Sequence, residues 1–318
     1  MDVDTATELL DAIKAEVERS VILDSSFLDT ILAGFLAGGH VLLEDVPGTG
    51  KTLTARSVAT ALGLDFNRIQ FTPDLLPADI TGSYVYDEQD GSFEFEEGPI
   101  FANVVLADEI NRAPPKTQAA LLEAMEEGQV SASGTTHALP QPFFVMATQN
   151  PVEQKGTFEL PEAQRDRFIV KSSIGYPDSA GEISLIERRA ERKKSTPTMS
   201  SVVDADQATA LRDVPETVTT EEEIHEYVVE LGRKTRTNAR VEVGVSPRGI
   251  QQLFEIARAG AVLDGREFVV PDDVKRFARP ALRHRLVLTS EAAVRSVDPG
   301  TIVESVLNAV EVPAMTPE

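Results

Sequence analysis

The chain has 318 residues, four His, no Cys and a net charge of −22. Without cysteine there is no disulfide framework, no Cys-ligated zinc, no iron–sulfur cluster and no thiol catalysis. With 52 acids against 30 bases, nine of them Lys and 21 Arg, the surface suits molar salt and opposes the phosphate neutralisation that drives nucleic-acid binding.

Residues 8–36 read as two helices by apolar spacing (Leu9, Leu10, Ile13, Val17; then Phe27, Leu28, Ile31, Leu32, Phe35), stopped by Gly38-Gly39. His40–Glu44 is a short apolar strand, Asp45–Gly50 a turn-rich loop, and Lys51 to about Leu62 a helix. Asn67–Phe71 is a second strand. Asn103–Ala107 and Phe143–Thr148 are apolar without alternation, the mark of parallel strands buried on both faces. Lys116–Glu127 is a helix ended by Gly128, and Arg167–Ile174 is a last strand. Strands alternating with helices predict a doubly wound α/β domain. Two hairpins decorate it, Tyr84–Phe95 around Asp90-Gly91 and Gln129–Leu139 around Ser133-Gly134.

After Pro177 the pattern changes. A helix over Glu182–Lys194 carries Arg188, Arg189, Arg192, Lys193 and Lys194 on one face, and a Ser/Thr/Pro-rich stretch follows over 195–220. Helices are then expected over 221–237, 247–263, 271–284 and 299–310, with Ser246-Pro247 and Pro271-Asp272 as start signals. The expected division is an α/β domain over 1–195 and a linker with a small all-α domain over 196–318. The four His do not pair at metal-ligand spacing, no apolar run is long enough for a membrane span, and the acidic amino terminus lacks a signal-peptide n-region, so a cytoplasmic chain is expected. The Arg233, Lys234, Arg236 and Arg240 cluster reads as a solvated helix face and not as a DNA site.

Three motifs carry chemistry. The loop Asp45, Val46, Pro47, Gly48, Thr49, Gly50, Lys51, Thr52, Leu53 joins a buried strand to a helix. Its glycines let backbone N–H groups turn toward phosphate oxygens, Lys51 suits the β/γ-phosphates and Thr52 offers a hydroxyl to Mg²⁺. Asp45 stands where the P-loop pattern has glycine, and its side chain is expected to point away from the phosphates. Val104–Glu109 (VVLADE) has the Walker B form, in which Asp108 holds Mg²⁺ and Glu109 polarises the attacking water. Asn150, ending Ala147–Asn150, is expected between these two motifs, where an amide can contact the γ-phosphate or orient the water.

The string Ala107–Gln118 (ADEINRAPPKTQ) closely resembles the MoxR family of AAA+ ATPases, as do Gln70–Ile80, Gly98–Asn103, Leu160–Gln164 and Pro271–Val274. The resemblance covers roughly residues 12–290. It implies a P-loop AAA+ doubly wound parallel sheet followed by an α-helical lid, an ATP- and Mg²⁺-dependent hydrolase, and a ring, usually hexameric. It makes Asn150 sensor 1 and Arg167 a finger acting on the neighbouring subunit, with Arg165 and Arg112 as rivals. It makes Arg248 sensor 2, reaching the nucleotide from the lid of its own chain. The two hairpins resemble inserts that face the pore or upper surface and touch client proteins. A partner with a von Willebrand factor A domain is implied, and chaperone-like remodelling or maturation of clients. Leu23-Asp24 stands where the family usually has Gly-Gln, and Arg165 where it usually has Leu. The rival readings are a magnesium-chelatase-like motor subunit, a nucleic-acid motor, which the charge opposes, and a non-hydrolysing nucleotide-binding scaffold.

Overall fold

The computed structural model describes residues 1–89, 91–151, 157–191 and 198–314. Helices α1 (Val3–Ser20) and α2 (Ser25–Leu36) precede β1 (Val41–Glu44). Then come α3 (Lys51–Ala61), β2 (Phe66–Gln70), α4 (Pro77–Thr81) and the hairpin β3 (Gly82–Asp87) and β4 (Ser92–Glu97). They are followed by β5 (Val104–Asp108), α5 (Pro115–Glu127), the hairpin β6 (Gln129–Ala132) and β7 (Thr135–Ala138), β8 (Phe144–Gln149), α6 (Glu162–Arg165), β9 (Val170–Ser172) and α7 (Ser179–Glu191). The remainder holds α8 (Ala205–Asp213), α9 (Glu222–Arg236), β10 (Val241–Val243), α10 (Pro247–Leu263), α11 (Pro271–Leu282), a 3₁₀ turn (Arg283–Arg285), β11 (Val287–Leu288), α12 (Ser290–Val294) and α13 (Pro299–Ala309).

The central sheet is parallel, in the order β2-β5-β8-β1-β9. Val41, Leu43, Val104, Leu106, Phe144 and Met146 point into one core, shared with α1, α2 and the carboxy-terminal helices. Leu42, Val105, Ala107, Val145 and Ala147 point into the other, under α5. Alternate residues of each strand therefore face opposite layers, and both layers are apolar, as the unbroken hydrophobic runs require.

Several details differ from the sequence expectations. Helix α1 starts at Val3 because Asp2 caps it, accepting from Thr5 N at 2.8 Å, and Val3 and Ala6 are buried. The expected strand Arg167–Ile174 shrinks to Val170–Ser172, because the backbone N–H groups of Arg167 and Phe168 donate back to Gln164 and Arg165 and continue the turn of α6. The carboxy-terminal helices carry an added antiparallel ribbon, β10–β11. The hairpin at Ser133-Gly134 turns through two positive φ angles, 50° and 84°. The other hairpin closes at Asp87 and Ser92, with Asp90 outside the described residues, as are Arg192, Lys193 and Lys194.

His40 ties the amino-terminal ends of three sheet segments. Its Nδ1 accepts from Val145 N and its Nε2 donates to Met125 O, each at 3.0 Å, while its carbonyl accepts from Ile169 N at 2.9 Å. Burial pushes its pKa from 6.5 down to about 4, so the ring is neutral in the fold. The unfolded chain binds a proton near pH 6.5 and the folded one only near 4. This contribution to stability is complete above about pH 6.5, falls as pH drops toward 4, and amounts to about 3 kcal/mol. Urea titrations of wild type and His40→Gln at pH 7 and pH 4.5 should show a smaller acid loss in the variant. Equal losses would remove His40 from the account.

Candidate active site

Strand β1 delivers the P-loop at the carboxy-terminal end of the sheet. Gly48 and Gly50 adopt φ of 87° and 89°, a left-handed conformation that favours glycine. Gly50 then caps α3, whose free N–H groups and dipole open onto the loop. Lys51 Nζ folds back across the loop, donating to Val46 O at 2.7 Å and Asp45 O at 3.2 Å. Thr49 Oγ1 donates to Val46 O at 3.4 Å, and Thr52 and Leu53 continue the first turn of α3. The Asp45 carboxylate points away from the loop. It is buried and accepts from Ser173 Oγ at 2.8 Å, Ile174 N at 2.6 Å and Gly175 N at 3.0 Å. A cleft of about 410 Å³ beside this strap is walled by Ile22, Leu23, Ile174 and Tyr176.

The end of β5 supplies the acids. Asp108 Oδ1 accepts from Thr148 Oγ1 at 2.6 Å, and Oδ2 accepts from Arg68 Nη2 at 2.6 Å. Glu109 sits at φ 58°, ψ 48°, a strained backbone for a residue with a long side chain. Its Oε2 accepts from Gln70 Nε2 at 2.8 Å and Arg112 Nη1 at 3.0 Å, and its N–H donates to Thr148 Oγ1 at 2.8 Å. Thr148 thus holds both acids at once. Asn150 is buried just beyond β8, the strand between β1 and β5, so Lys51, Asp108, Glu109 and Asn150 all belong to one end of the sheet.

The arginines divide between the two ends. Arg112 is held by Glu109. Arg165 lines a cleft of about 600 Å³ with Asn150, Asn111, Glu44 and Lys171. Arg167 lies at the opposite end, three residues before Val170, which pairs with Val41 at the start of β1. Its guanidinium meets Glu126 at 2.9 Å. Arg248 meets the other oxygen of the same carboxylate at 2.8 Å. These contacts, the Arg248 hydrogen bond first, hold Glu126 below the usual carboxylate range.

The expected reach of Arg248 over its own P-loop is therefore corrected. Glu126 follows Met125, which His40 fastens at the amino-terminal end of β1. The four residues of β1, about 13 Å of strand, lie between that point and the P-loop. Sequence reading passed over Thr148, Arg68, Gln70 and Glu126. A threonine inside the apolar run FFVMAT was the one local signal for any of them.

A P-loop, two acids and an amide at the carboxy-terminal end of a five-stranded parallel sheet define an ATP-binding, ATP-hydrolysing P-loop enzyme. Residues 40–170 match the family model for ATPases associated with various cellular activities, and 233–306 match an AAA lid domain. The chain is 49% identical over 282 residues to the Bacillus subtilis protein YeaC, covering 89% of this chain and 88% of that one. It is 40% identical over 307 residues to Chaperone MoxR1 of Mycobacterium tuberculosis (94% and 81%), and 32% identical over 302 to MoxR of Paracoccus denitrificans (87% and 88%). A crystal structure of a candidate ATPase from Cytophaga hutchinsonii superposes with a TM-score of 0.91 at 38% identity, covering 98% of this chain and 96% of that one. The chain belongs to the MoxR family of AAA+ ATPases.

Thr148→Val should leave an Asp108 oxygen and the Glu109 N–H unpaired in a buried site. A loss of about 1–3 kcal/mol in stability is expected, together with a fall in ATPase rate, while Thr148→Ser keeps both. Denaturation and steady-state turnover of the two variants check this. Equal behaviour of Val and Ser would sink it.

Proposed function

We propose that this chain is the subunit of a head-to-tail ring, six-membered as in its family, whose ATP sites are completed between neighbours. The observation that carries the reading is the separation of the two polar ends. Lys51, Asp108, Glu109 and Asn150 occupy one end of the sheet and Arg167 with Arg248 the other, so a second copy is needed to bring them together. A heterologous contact of that kind forms a ring where its rotation closes. In this reading the nucleotide domain is 1–195, and 196–318 is linker and lid.

Residues 45–50 and Lys51 cradle the phosphates, with Thr52 and Leu53 at the start of α3. Glu109 takes up the developing proton of the attacking water, and Asn150 orients that water or the γ-phosphate. Arg167, with Arg248 beside it, stabilises transition-state charge in the neighbour's site. The oxygen donors of Thr52 and Asp108 suit Mg²⁺, a hard cation that takes few protein ligands. That ion, when bound, neutralises charge on the β- and γ-oxygens. Arg68 pairs with Oδ2 of Asp108, an oxygen that the ion would share or take over. The Arg68 side chain is 44% exposed and has room to swing away.

The work done with ATP is taken to be remodelling or maturation of client proteins in the cytoplasm, with a von Willebrand factor A domain protein as client or adaptor. Support for a protein client comes from the relative called a chaperone and from the hairpin β3–β4, whose Val85, Tyr86 and Phe93 are exposed. Among the described residues no helix is long and apolar enough to cross a membrane.

ATPase rate per subunit in high KCl should rise with protein concentration. Arg167→Ala should lose about 10³-fold or more, and Glu109→Gln should be inactive. Mixed one to one, the two variants should recover about a quarter of wild-type turnover, because random closure of a ring pairs an intact Glu109 with an intact Arg167 at that frequency. No recovery, in a mixture shown to co-assemble, would defeat the shared site.

A further inference from the structure

The segment that carries Arg167 is held from both sides, and one of the holders is in the lid. Phe168 is fully buried in the core under α5. Asp166, on the other flank, accepts from Arg285 Nε at 2.6 Å through Oδ1 and from Ser246 Oγ at 3.1 Å through Oδ2. Arg285 does more than pair with that acid. Its Nη2 donates to Phe168 O at 2.7 Å and Asp166 O at 3.3 Å, and its Nη1 to Ile169 O at 3.2 Å. It also bonds Ala281 O and Gln252 within the lid. The neighbouring His284 donates from Nε2 to Phe168 O at 2.9 Å.

Three carbonyls of the Arg167 segment are therefore read by one 3₁₀ turn of the lid. Arg285 is 3% exposed, and a Cβ at Gly249, in the first turn of α10, would meet its Cδ at 2.8 Å. Ser246 is the cap of α10, two residues before Arg248. One carboxylate, Asp166, thus sets the position of both arginines that meet at Glu126. Burial pushes the Arg285 guanidinium down to about 10, with Asp166 acting the other way, so it stays charged at neutral pH. A buried, charged, forked donor is a directional joint and fits the planar carboxylate and carbonyl set better than a lysine could.

We propose that Arg285 is a positioning residue: through Asp166 and the carbonyls of Asp166, Phe168 and Ile169 it makes the lid the frame that aims Arg167 at the neighbouring subunit. A change of lid position in one subunit then alters the arginine presented to the next, and Arg285 has no part in its own chain's ATP site. The inference rests on the ring reading, and its test separates the two.

Arg285→Met should cut turnover about 100-fold, the cost of misplacing a reacting group by about 1 Å. Complementation identifies where the loss arises. Mixed with Glu109→Gln, which has an intact Arg167 segment, Arg285→Met should recover activity. Mixed with Arg167→Ala it should not, because neither chain then offers a working finger. Asp166→Asn should fall in the same complementation group. If Glu109→Gln and Arg167→Ala fail to rescue each other, the ring reading fails and the proposal falls with it. If they do rescue each other, but Arg285→Met and Asp166→Asn are rescued by Arg167→Ala and not by Glu109→Gln, the residues serve their own site and the proposal is overturned. Should Arg285→Met fail to fold, Asp166→Asn decides: rescue by Glu109→Gln supports the proposal, and no rescue by it overturns it.

Discussion

Parallel strands buried on both faces leave polar chemistry nowhere to go but their ends. Every residue of β5 is buried, and β8 is polar only in its last two residues, Thr148 and Gln149. Because the strands run the same way, the ends form two separate rims. One rim gathers the P-loop, Asp108, Glu109 and Asn150. The other gathers His40, Met125, Ile169 and the Arg167 segment. The backbone strain at Glu109 falls where strand geometry stops and the chain turns, with the carboxylate held by Gln70 and Arg112. The division of labour between rims is thus a consequence of strand direction.

The lid meets this sheet through two kinds of contact. Its helices α9, α10 and α11 share a continuous apolar core with α1, α2 and one face of the sheet, with Phe35, Phe144 and Phe277 among the largest buried side chains. Apolar packing is non-directional and sets no unique register on its own. The polar joint of Asp166, Ser246 and Arg285 is directional. The apolar layer supplies cohesion, and the joint supplies the angle at which the lid meets the sheet. A cleft of about 490 Å³ opens over that joint, between α6 and residues 242–246.

Much of the nucleotide rim is legible in the chain itself, because its signals are local. The glycines and Lys51 lie within six residues, Asp108 and Glu109 are adjacent, and Asn150 follows its own strand. The helix cap at Ser246 and the Ser133-Gly134 turn are equally short-range. The family strings extend that reading over most of the chain. Composition alone carries the acidic, cysteine-free character.

The tertiary structure decided which residues meet. Asp45 looks misplaced in a P-loop until its partners, 128 to 130 positions later, show it strapping the loop to the segment after β9. Thr148 reads as one more strand residue, yet it lies between two acids 40 and 39 positions away. Arg248 carries a motif that suggests its own nucleotide, but the packing of α10 sets it beside Glu126 on the far rim. Arg285 carries no motif at all. Periodicity and spacing report which face of an element a residue takes. Which rim it reaches, and what waits there, depends on strand order and on contacts between distant segments, which no local pattern encodes.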